Sequence, residues 1–159
     1  MSGIPVITIS RQYGAGGREI AGLVAEKLGV KLYDRQIVHI AAAKIGLDDL
    51  SENDLLELEN YVKPLSMSFL PFRSFGMNMT DSSQKVFMTE SAAIRKLAQD
   101  GPCVILGRSA DYVLRKFENK FSIFICADDE FREARGKEVY GGKTLKELDQ
   151  EDKKRARYY

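Results

Sequence analysis

The sequence is poor in the residues on which several kinds of active site depend. Its 159 residues include one histidine, two cysteines and no tryptophan. With His39 as the single histidine, the chain can build neither a histidine-based zinc cluster nor a Ser-His-Asp triad, and we interpret His39 as structural. The two cysteines, Cys103 and Cys126, lie in apolar runs and are expected to be buried free thiols of a reducing compartment.

Excess charge and long apolar runs are also lacking. The 24 basic and 23 acidic residues leave a net charge of +1, which provides no bulk attraction to nucleic acid or to a membrane surface. No apolar run approaches the roughly 18 residues of a membrane span, and the segment "MSGIPVITISRQYG" lacks the features of a signal peptide. We therefore expect a cytoplasmic protein of one domain, residues 1–159, with neither nucleic acid nor a membrane as partner.

Short apolar runs alternate with segments of helical spacing along the chain. This alternation predicts an α/β fold, a largely parallel sheet of four strands with helices on both faces. The predicted strands are 5–10, 30–34, 103–107 and 121–127, and the predicted helices are 17–28, 35–46, 82–101, 109–118, 128–142 and 144–159, with one or two acidic helices in 48–62. The last strand, like 103–107, is apolar throughout and is expected to be buried on both faces.

In residues 63–81, "KPLSMSFLPFRSFGMNMTD", the apolar residues recur with neither the spacing of a helix nor that of a strand. The segment is either a flap that moves when an acceptor binds or a loop packed on the core. Both interpretations remain open from the sequence.

The stretch "TISRQYGAGGRE", residues 8–19, places a glycine cluster between a strand and a helix. Without a Cβ, Gly14, Gly16 and Gly17 allow backbone N–H groups to face an anion, and the helix N-terminus adds about half a positive charge. The P-loop signature G-x-x-x-x-G-K-[ST] has a lysine and then Ser or Thr where this chain has Gly17 and Arg18. The stretch is either an altered phosphate-binding loop or a chance glycine run.

Polar residues directly follow all four predicted strands. Because ligands bind at the carboxyl ends of parallel strands, these residues are expected to meet in one cleft. Arg108 follows a buried strand and a glycine, a place where a long charged side chain needs a ligand or a partner. Asp34 either holds a sugar hydroxyl or a base edge, or pairs with Arg35. The residues after the strands are 14–18, Asp34 with Arg35, Gly107 with Arg108, and Asp128.

Four segments together resemble the cytidylate kinase-like family of P-loop proteins: "ISRQYGAGGREIA", "LYDRQIV", "CVILGRSADYVL" and "EDKKRARYY". The resemblance covers nearly the whole chain. It implies a P-loop kinase-like three-layer fold with a helical acceptor-binding region at about 36–100 and a lid at about 128–157. It also implies an ATP-dependent kinase for a nucleoside monophosphate, with CMP or dCMP as the expected acceptor. Mg²⁺ would come with ATP, and no protein ligand for the metal is identified.

The resemblance also implies roles for individual residues. Arg18 is expected to replace the loop lysine, which aligns with Gly17. The residues implied in phosphoryl transfer are Arg18, Arg108 and Arg155. Those implied in binding the ATP phosphates are Arg11, Gly14, Ala15, Gly16, Gly17, Arg18 and Glu19. Those implied in binding the acceptor are Asp34, Arg35, Arg108, Asp111, Asp152 and Arg155. Arg132 and Arg135 would belong to the lid.

The missing loop lysine leaves two alternatives open. The chain could be a nucleotide-binding regulatory or partner protein with weak turnover, or a kinase for another small acceptor. The fold expects a further strand after "RARYY". Without it, the fourth strand would be an apolar edge beside a central first strand, so self-association of this 159-residue form is expected.

Overall fold

The structure is a computed structural model that describes residues 3–34 and 79–156, with side chains described for 3–34 and 90–156. Several predicted features lie outside these residues: the helix at 35–46, the acidic helices, Arg35, His39 and nearly all of the 63–81 segment.

The described elements alternate between strands and helices as the sequence predicts. The strands are β1 (Val6–Arg11), β2 (Lys31–Tyr33), β3 (Cys103–Leu106) and β4 (Lys120–Ile125). The helices are α1 (Gly17–Leu28), α2 (Met79–Asp100), α3 (Ala110–Val113), α4 (Asp129–Glu138) and α5 (Leu145–Ala156). The predicted α/β class is confirmed.

The four strands form one parallel sheet in the order β2-β3-β1-β4. As predicted, β1 lies between β3 and β4. Ile9 stands opposite Leu106 of β3 and opposite Ile123 of β4. This register brings the carboxyl ends of β1 and β3 side by side, where the residues after each strand can take part in the same site.

One face of the sheet packs against α1. The helix contributes Ala21 and Ala25, whose small side chains allow a close approach to Ile7, Ile9 and Val104. On β1, side chains that point to the other face are buried as well, including Val6 and Thr8. The Thr8 hydroxyl donates a hydrogen bond of 2.8 Å to the hydroxyl of Ser122. Burial on both faces explains why β1 reads as an almost continuous apolar run.

The chain divides into two compact units. The first comprises residues 1–34 and 97–159 and contains the sheet, α1, α3, α4 and α5. The second comprises residues 35–96, of which the structure describes 79–96 in α2. The bounds of the second unit are close to those of the expected acceptor-binding region, whose role stays a prediction.

Three helices have ends that differ from the predicted ones. Helix α2 begins at Met79 rather than at 82. Helix α3 ends at Val113 rather than at 118, because tighter turns follow, with the backbone N–H of Phe117 donating to the carbonyl of Leu114. Helix α4 ends at Glu138, shortly before Gly141 and Gly142, both of which have positive φ. No helix of the described residues is both long and apolar enough to cross a membrane.

Strand β4 lies at an edge of the sheet, and the prediction that it is buried on both faces is wrong. Phe121 and Phe124 are 59% and 64% exposed, whereas Ile123 and Ile125 pack against the core. Cys126, which follows the strand, is exposed, contrary to expectation. Cys103 in β3 is buried, and desolvation raises the pKa of its thiol to about 11.

Candidate functional site

The glycine loop links the end of β1 to the first turn of α1. Gly14 and Gly16 have φ values of 84° and 76°, a left-handed conformation that strains residues with a side chain. Gly16 is also the residue that caps α1. The loop is buried from Gly14 to Gly17. The strand–loop–helix arrangement predicted from the sequence is therefore present, with the helix N-terminus directed at the loop.

Helices α4 and α5 pack directly on this loop. A Cβ on Gly14 would lie 3.3 Å from Cδ1 of Leu148 and 3.4 Å from the backbone oxygen of Arg132. Leu148 is fully buried. A Cβ on Gly16 would lie 3.9 Å from both Nε and Cζ of Arg135. The segment expected to form the lid thus approaches the loop at both Gly14 and Gly16.

Arg132 holds α4, α5 and the glycine loop together. Its side chain is only 3% exposed and forms ion pairs of 2.9 Å with Asp149 and 2.8 Å with Asp152. Its Nε donates to the carbonyl of Tyr13 at 3.0 Å, and the N–H of Tyr13 donates to Asp152 at 2.7 Å. We call these four residues, Arg132, Asp149, Asp152 and Tyr13, the clamp. The lid role of Arg132 and the acceptor role of Asp152 stay predictions.

Arg135 lies over the loop and pairs with Glu19 in the first turn of α1. A hydrogen bond from its own backbone N–H, assisted by Arg135, lowers the pKa of Glu19. Burial alone would lower the pKa of Arg135, but hydrogen bonds to Glu19 and the Tyr140 hydroxyl raise it. Both groups are therefore charged at neutral pH. The Nε of Arg135 is buried and has no hydrogen-bond partner among the described residues.

Cations surround the ring of Tyr13, a residue that the sequence interpretation did not include. Cζ of Arg155 lies 4.6 Å and Nζ of Lys143 lies 5.0 Å from the ring centroid. The ring of Tyr140 packs at 4.8 Å. Arg155 also lies near the end of β1, with its Nη1 3.4 Å from the carbonyl oxygen of Arg11. Both cations also pair with carboxylates of α5, Arg155 with Asp152 and Lys143 with Glu151, each at 3.9 Å.

The end of β3 has an unusual backbone. Gly107, Arg108 and Ser109 have φ values of 70°, 59° and 50° in succession. For a residue other than glycine this conformation costs about 1–3 kcal/mol, and such strain clusters at functional sites. In the following turn, Oδ1 of Asp111 is buried without a hydrogen-bond partner among the described residues. Both features lie among residues that the sequence assigned to the acceptor.

The side chain of Arg11 reaches from the glycine loop to this strained turn. A Cβ on Gly17 would lie 2.6 Å from Cγ of Arg11. A Cβ on Gly107 would collide with Nη1 of the same side chain. The Arg11 side chain therefore spans the distance from the start of α1 to the turn after β3.

Arg18 and Asp34 lie together on the other side of the first turn of α1. Nη2 of Arg18 is 3.7 Å from Oδ2 of Asp34, and the Arg18 side chain is 67% exposed. The sequence left Asp34 with either a nucleotide group or Arg35 as its partner, and Arg35 lies outside the described residues. The roles predicted for Arg18 and Asp34 stay untested by this geometry.

The described residues contain no group of three or more His, Cys, Asp or Glu side chains that could hold a metal ion. Three carboxylates near the loop and the first turn of α1, Glu19, Asp34 and Asp152, each pair with an arginine. Mg²⁺ requires only one or two protein carboxylates when substrate phosphates supply its other ligands. The donor set thus fits a magnesium ion that arrives bound to a nucleotide.

The chain is similar to known proteins in sequence and in fold. It matches the model of the cytidylate kinase-like family over residues 6–159. No curated protein sequence matches it significantly. Among solved structures it resembles an uncharacterized protein from Eubacterium ventriosum with a TM-score of 0.63. The two are 22% identical over 97% of this chain and 74% of that chain, a likeness that shows the fold alone.

Proposed function

The chain belongs to the cytidylate kinase-like family, and on that premise we propose that it transfers the γ-phosphoryl group of ATP to a nucleoside monophosphate. CMP and dCMP are the acceptors we expect. The observation that carries the proposal is the Arg135 guanidinium, whose buried Nε–H has no partner among the described residues and lies beside Gly16. Buried donors are normally satisfied, and a phosphate oxygen on the glycine loop would satisfy this one.

The charges around the loop support binding of a polyphosphate. Arg135 lies over Gly16, and Arg155 lies beside the carbonyl of Arg11. Guanidinium groups remain charged and match phosphate oxygens with paired N–H donors. Glu19 holds Arg135 in place until a nucleotide competes for it, because the Glu19 side chain is 54% exposed and its carboxylate can be released to water. In this proposal the ATP phosphates take over part of the role of the Glu19 carboxylate.

The acceptor would bind at the end of β3. Asp111 presents a buried oxygen with no partner among the described residues, which suits an N–H or O–H donor of a base or sugar. The strained backbone at Arg108 fixes where that side chain leaves the strand. Since β1 and β3 are neighbours, a phosphate bound near Arg108 would lie close to one bound by the glycine loop.

The transfer requires positioning and positive charge more than covalent help. An oxygen of the acceptor phosphate attacks the γ-phosphorus and forms a new P–O bond. The bond between the γ-phosphorus and the β–γ bridging oxygen breaks, and that oxygen leaves with ADP. Arginine N–H groups stabilise the charge on the transferring group. Mg²⁺, brought with ATP, would neutralise phosphate charge, and Glu19 is the carboxylate in the first turn of α1 that could approach it.

A second candidate function is nucleotide binding without turnover. It is favoured by Gly17 at the position of the loop lysine and by the exposure of Arg18, which is 67%. A third candidate, a kinase for another small acceptor, uses the same loop with a different partner at the end of β3. These candidates differ in what is phosphorylated, and not in where ATP binds.

The discriminating experiment is a phosphotransfer screen of the purified protein with ATP and Mg²⁺ against all ribo- and deoxyribonucleoside monophosphates. We expect CDP or dCDP as the main product. Arg135→Met should lower kcat/KM. The matched control is Lys137→Met, because Lys137 lies on the same helix and forms an exposed ion pair with Glu133. ATP binding without transfer to any monophosphate would contradict the kinase proposal and leave the binding protein or the other acceptor.

A further inference from the structure

The position that aligns with the loop lysine is a glycine, and its own backbone does not explain why. Gly17 is the first residue of α1, and its φ is not among the positive values of the described residues. A residue with a side chain could adopt this helical conformation, and glycine at such a position is the less stable choice. The reason must therefore be the space around Gly17.

That space is filled by Arg11. A Cβ on Gly17 would lie 2.6 Å from Cγ and 2.7 Å from Cβ of Arg11, closer than real contacts allow. The aliphatic part of Arg11 thus lies where a side chain at position 17 would begin. At its other end, the guanidinium reaches Gly107, where it also leaves no room for a Cβ. The two glycines make room for one arginine.

We infer that Arg11 takes the place of the missing loop lysine and binds the phosphoryl group that ATP transfers. The inference deepens the proposed function and rests on it. A lysine at position 17 would approach the phosphates from the loop, whereas Arg11 approaches them from the end of β1. The positive charge is therefore delivered from a neighbouring position, and is not lost.

The location of the guanidinium fits this role. It lies between the glycine loop, where ATP is proposed to bind, and the turn at Gly107 and Arg108, proposed for the acceptor phosphate. The group that moves between the two phosphates must pass through this region. A planar guanidinium can hold one N–H on each side of the transferring group. The bonds formed and broken stay those of the proposed transfer, to which Arg11 contributes hydrogen bonds only.

Arg18, the replacement expected from the sequence, is placed less favourably. Its side chain is 67% exposed and is directed toward Asp34 at 3.7 Å. The side chain of Arg11 is partly buried and touches both predicted phosphate sites. The two arginines can therefore be compared directly in one experiment.

The test measures ATP affinity and kcat for a set of variants of the whole chain. Arg11→Met keeps a stem that can pack on Gly17 but removes the charge. It should weaken ATP binding or lower kcat by at least about tenfold, as the loss of a charge-assisted hydrogen bond implies. Arg18→Met should reduce ATP affinity and kcat less than Arg11→Met does. The matched control is Arg115→Met, which should behave like the wild type. The contacts described for Arg115 are both with Tyr112.

A swap of positions gives the sharpest result. Gly17→Lys alone should impair binding because the new side chain collides with Arg11. The double variant Arg11→Gly with Gly17→Lys also removes the Cβ of residue 11, which lies 2.7 Å from the place of a Cβ at residue 17. It should recover at least about tenfold over the weaker single variant, since the charge then comes from the loop. Retained affinity and kcat in Arg11→Met, a larger loss in Arg18→Met, or no recovery in the double variant would each overturn the inference.

Two further results separate the possible failures. If the wild type neither binds ATP nor transfers phosphate, the proposed function and this inference both fail. If the wild type does both and Arg11 is dispensable, only this inference fails. Should Arg11→Met not fold, the Nε–H resonance of Arg11 in the wild type decides: it should shift on addition of ATP, and an unchanged resonance at saturating ATP overturns the inference.

Discussion

Replacing Arg132 with methionine tests whether the clamp fixes α4 and α5 to the glycine loop. Methionine keeps an unbranched stem but removes the charge and every donor. The change leaves Asp149 without the guanidinium that lies 2.9 Å from it. Asp152 loses the same guanidinium at 2.8 Å and keeps only the more distant Arg155 at 3.9 Å. It also leaves the carbonyl of Tyr13 without the donor that lies 3.0 Å from it.

The expected loss follows from how deeply the clamp is buried. Removing one partner of a buried ion pair destabilises a protein by roughly 3–5 kcal/mol, because a charge is left buried without compensation. The Arg132 side chain is 3% exposed, but Asp149 and Asp152 are 50% and 24% exposed. Water can therefore solvate both carboxylates in part, and we expect about 3 kcal/mol, the lower end of that range.

The assay is equilibrium unfolding in urea followed by circular dichroism. Lys137→Met is the control, because its ion pair with Glu133 on the same helix is largely exposed and should contribute at most about 1 kcal/mol. The ATP affinity of Arg132→Met should fall as well, since α4 carries Arg135 over Gly16. A loss of stability no larger than that of the control would refute the role given to the clamp.

Three further predictions concern α5 and β4. Leu148→Ala should destabilise the protein by about 2–5 kcal/mol, since the fully buried leucine packs against Gly14; less than about 1 kcal/mol in urea unfolding would contradict its role. Glu147 exchanges hydrogen bonds with Thr144 at the start of α5, and these bonds lower the pKa of its carboxyl. Its contribution is therefore full above the ordinary pKa of a glutamate and is lost as the pH falls through the lowered folded-state pKa. The stability difference between wild type and Glu147→Gln should shrink on acidification, and a difference that is constant with pH would contradict a stabilising role for the Thr144–Glu147 hydrogen bonds. The wild type should self-associate in sedimentation, and replacing Phe121 and Phe124, exposed on the edge strand β4, with lysine should reduce that association; a wild type that is monomeric at every concentration would contradict this prediction.

The sequence was sufficient for the arrangement of the sheet. Each predicted strand is a short apolar run followed by a predicted helix, and the right-handed connection of parallel strands leaves few topologies to consider. The burial of β4 could not be predicted in the same way. Phe121 and Phe124 look like core residues in a run that is apolar throughout, and only the position of the strand in the sheet exposes them.

The candidate site was predictable where it depends on local spacing. The strand, the glycine loop and the first turn of α1 are contiguous, so their geometry follows from the chain itself. The state of Arg132 depends on Asp149 and Asp152, which reach it through the packing of α5 on α4. A buried structural arginine and a ligand-binding arginine look alike in the sequence and can have the same neighbours. The sequence alone therefore could not show which of the two roles Arg132 has.

The space around Gly17 was also hidden from the sequence. The absence of the lysine is visible in the sequence, but the contact between Arg11 and Gly17 exists only in the folded chain. The contacts of Tyr13 could not be predicted for a similar reason, because its partners Lys143 and Arg155 are distant in the chain. The only local signal was an aromatic residue directly before a glycine cluster.

In the proposed function, the loop from Gly14 to Gly17 receives the phosphates of ATP. An amide ¹H–¹⁵N titration of the protein with ATP and Mg²⁺, with adenosine as the control ligand, tests it directly. The account predicts saturable shifts in the amide signals of Gly14, Gly16 and Gly17 with ATP and none of comparable size with adenosine. ATP binding that leaves these three signals unchanged, or equal shifts with adenosine, would contradict it.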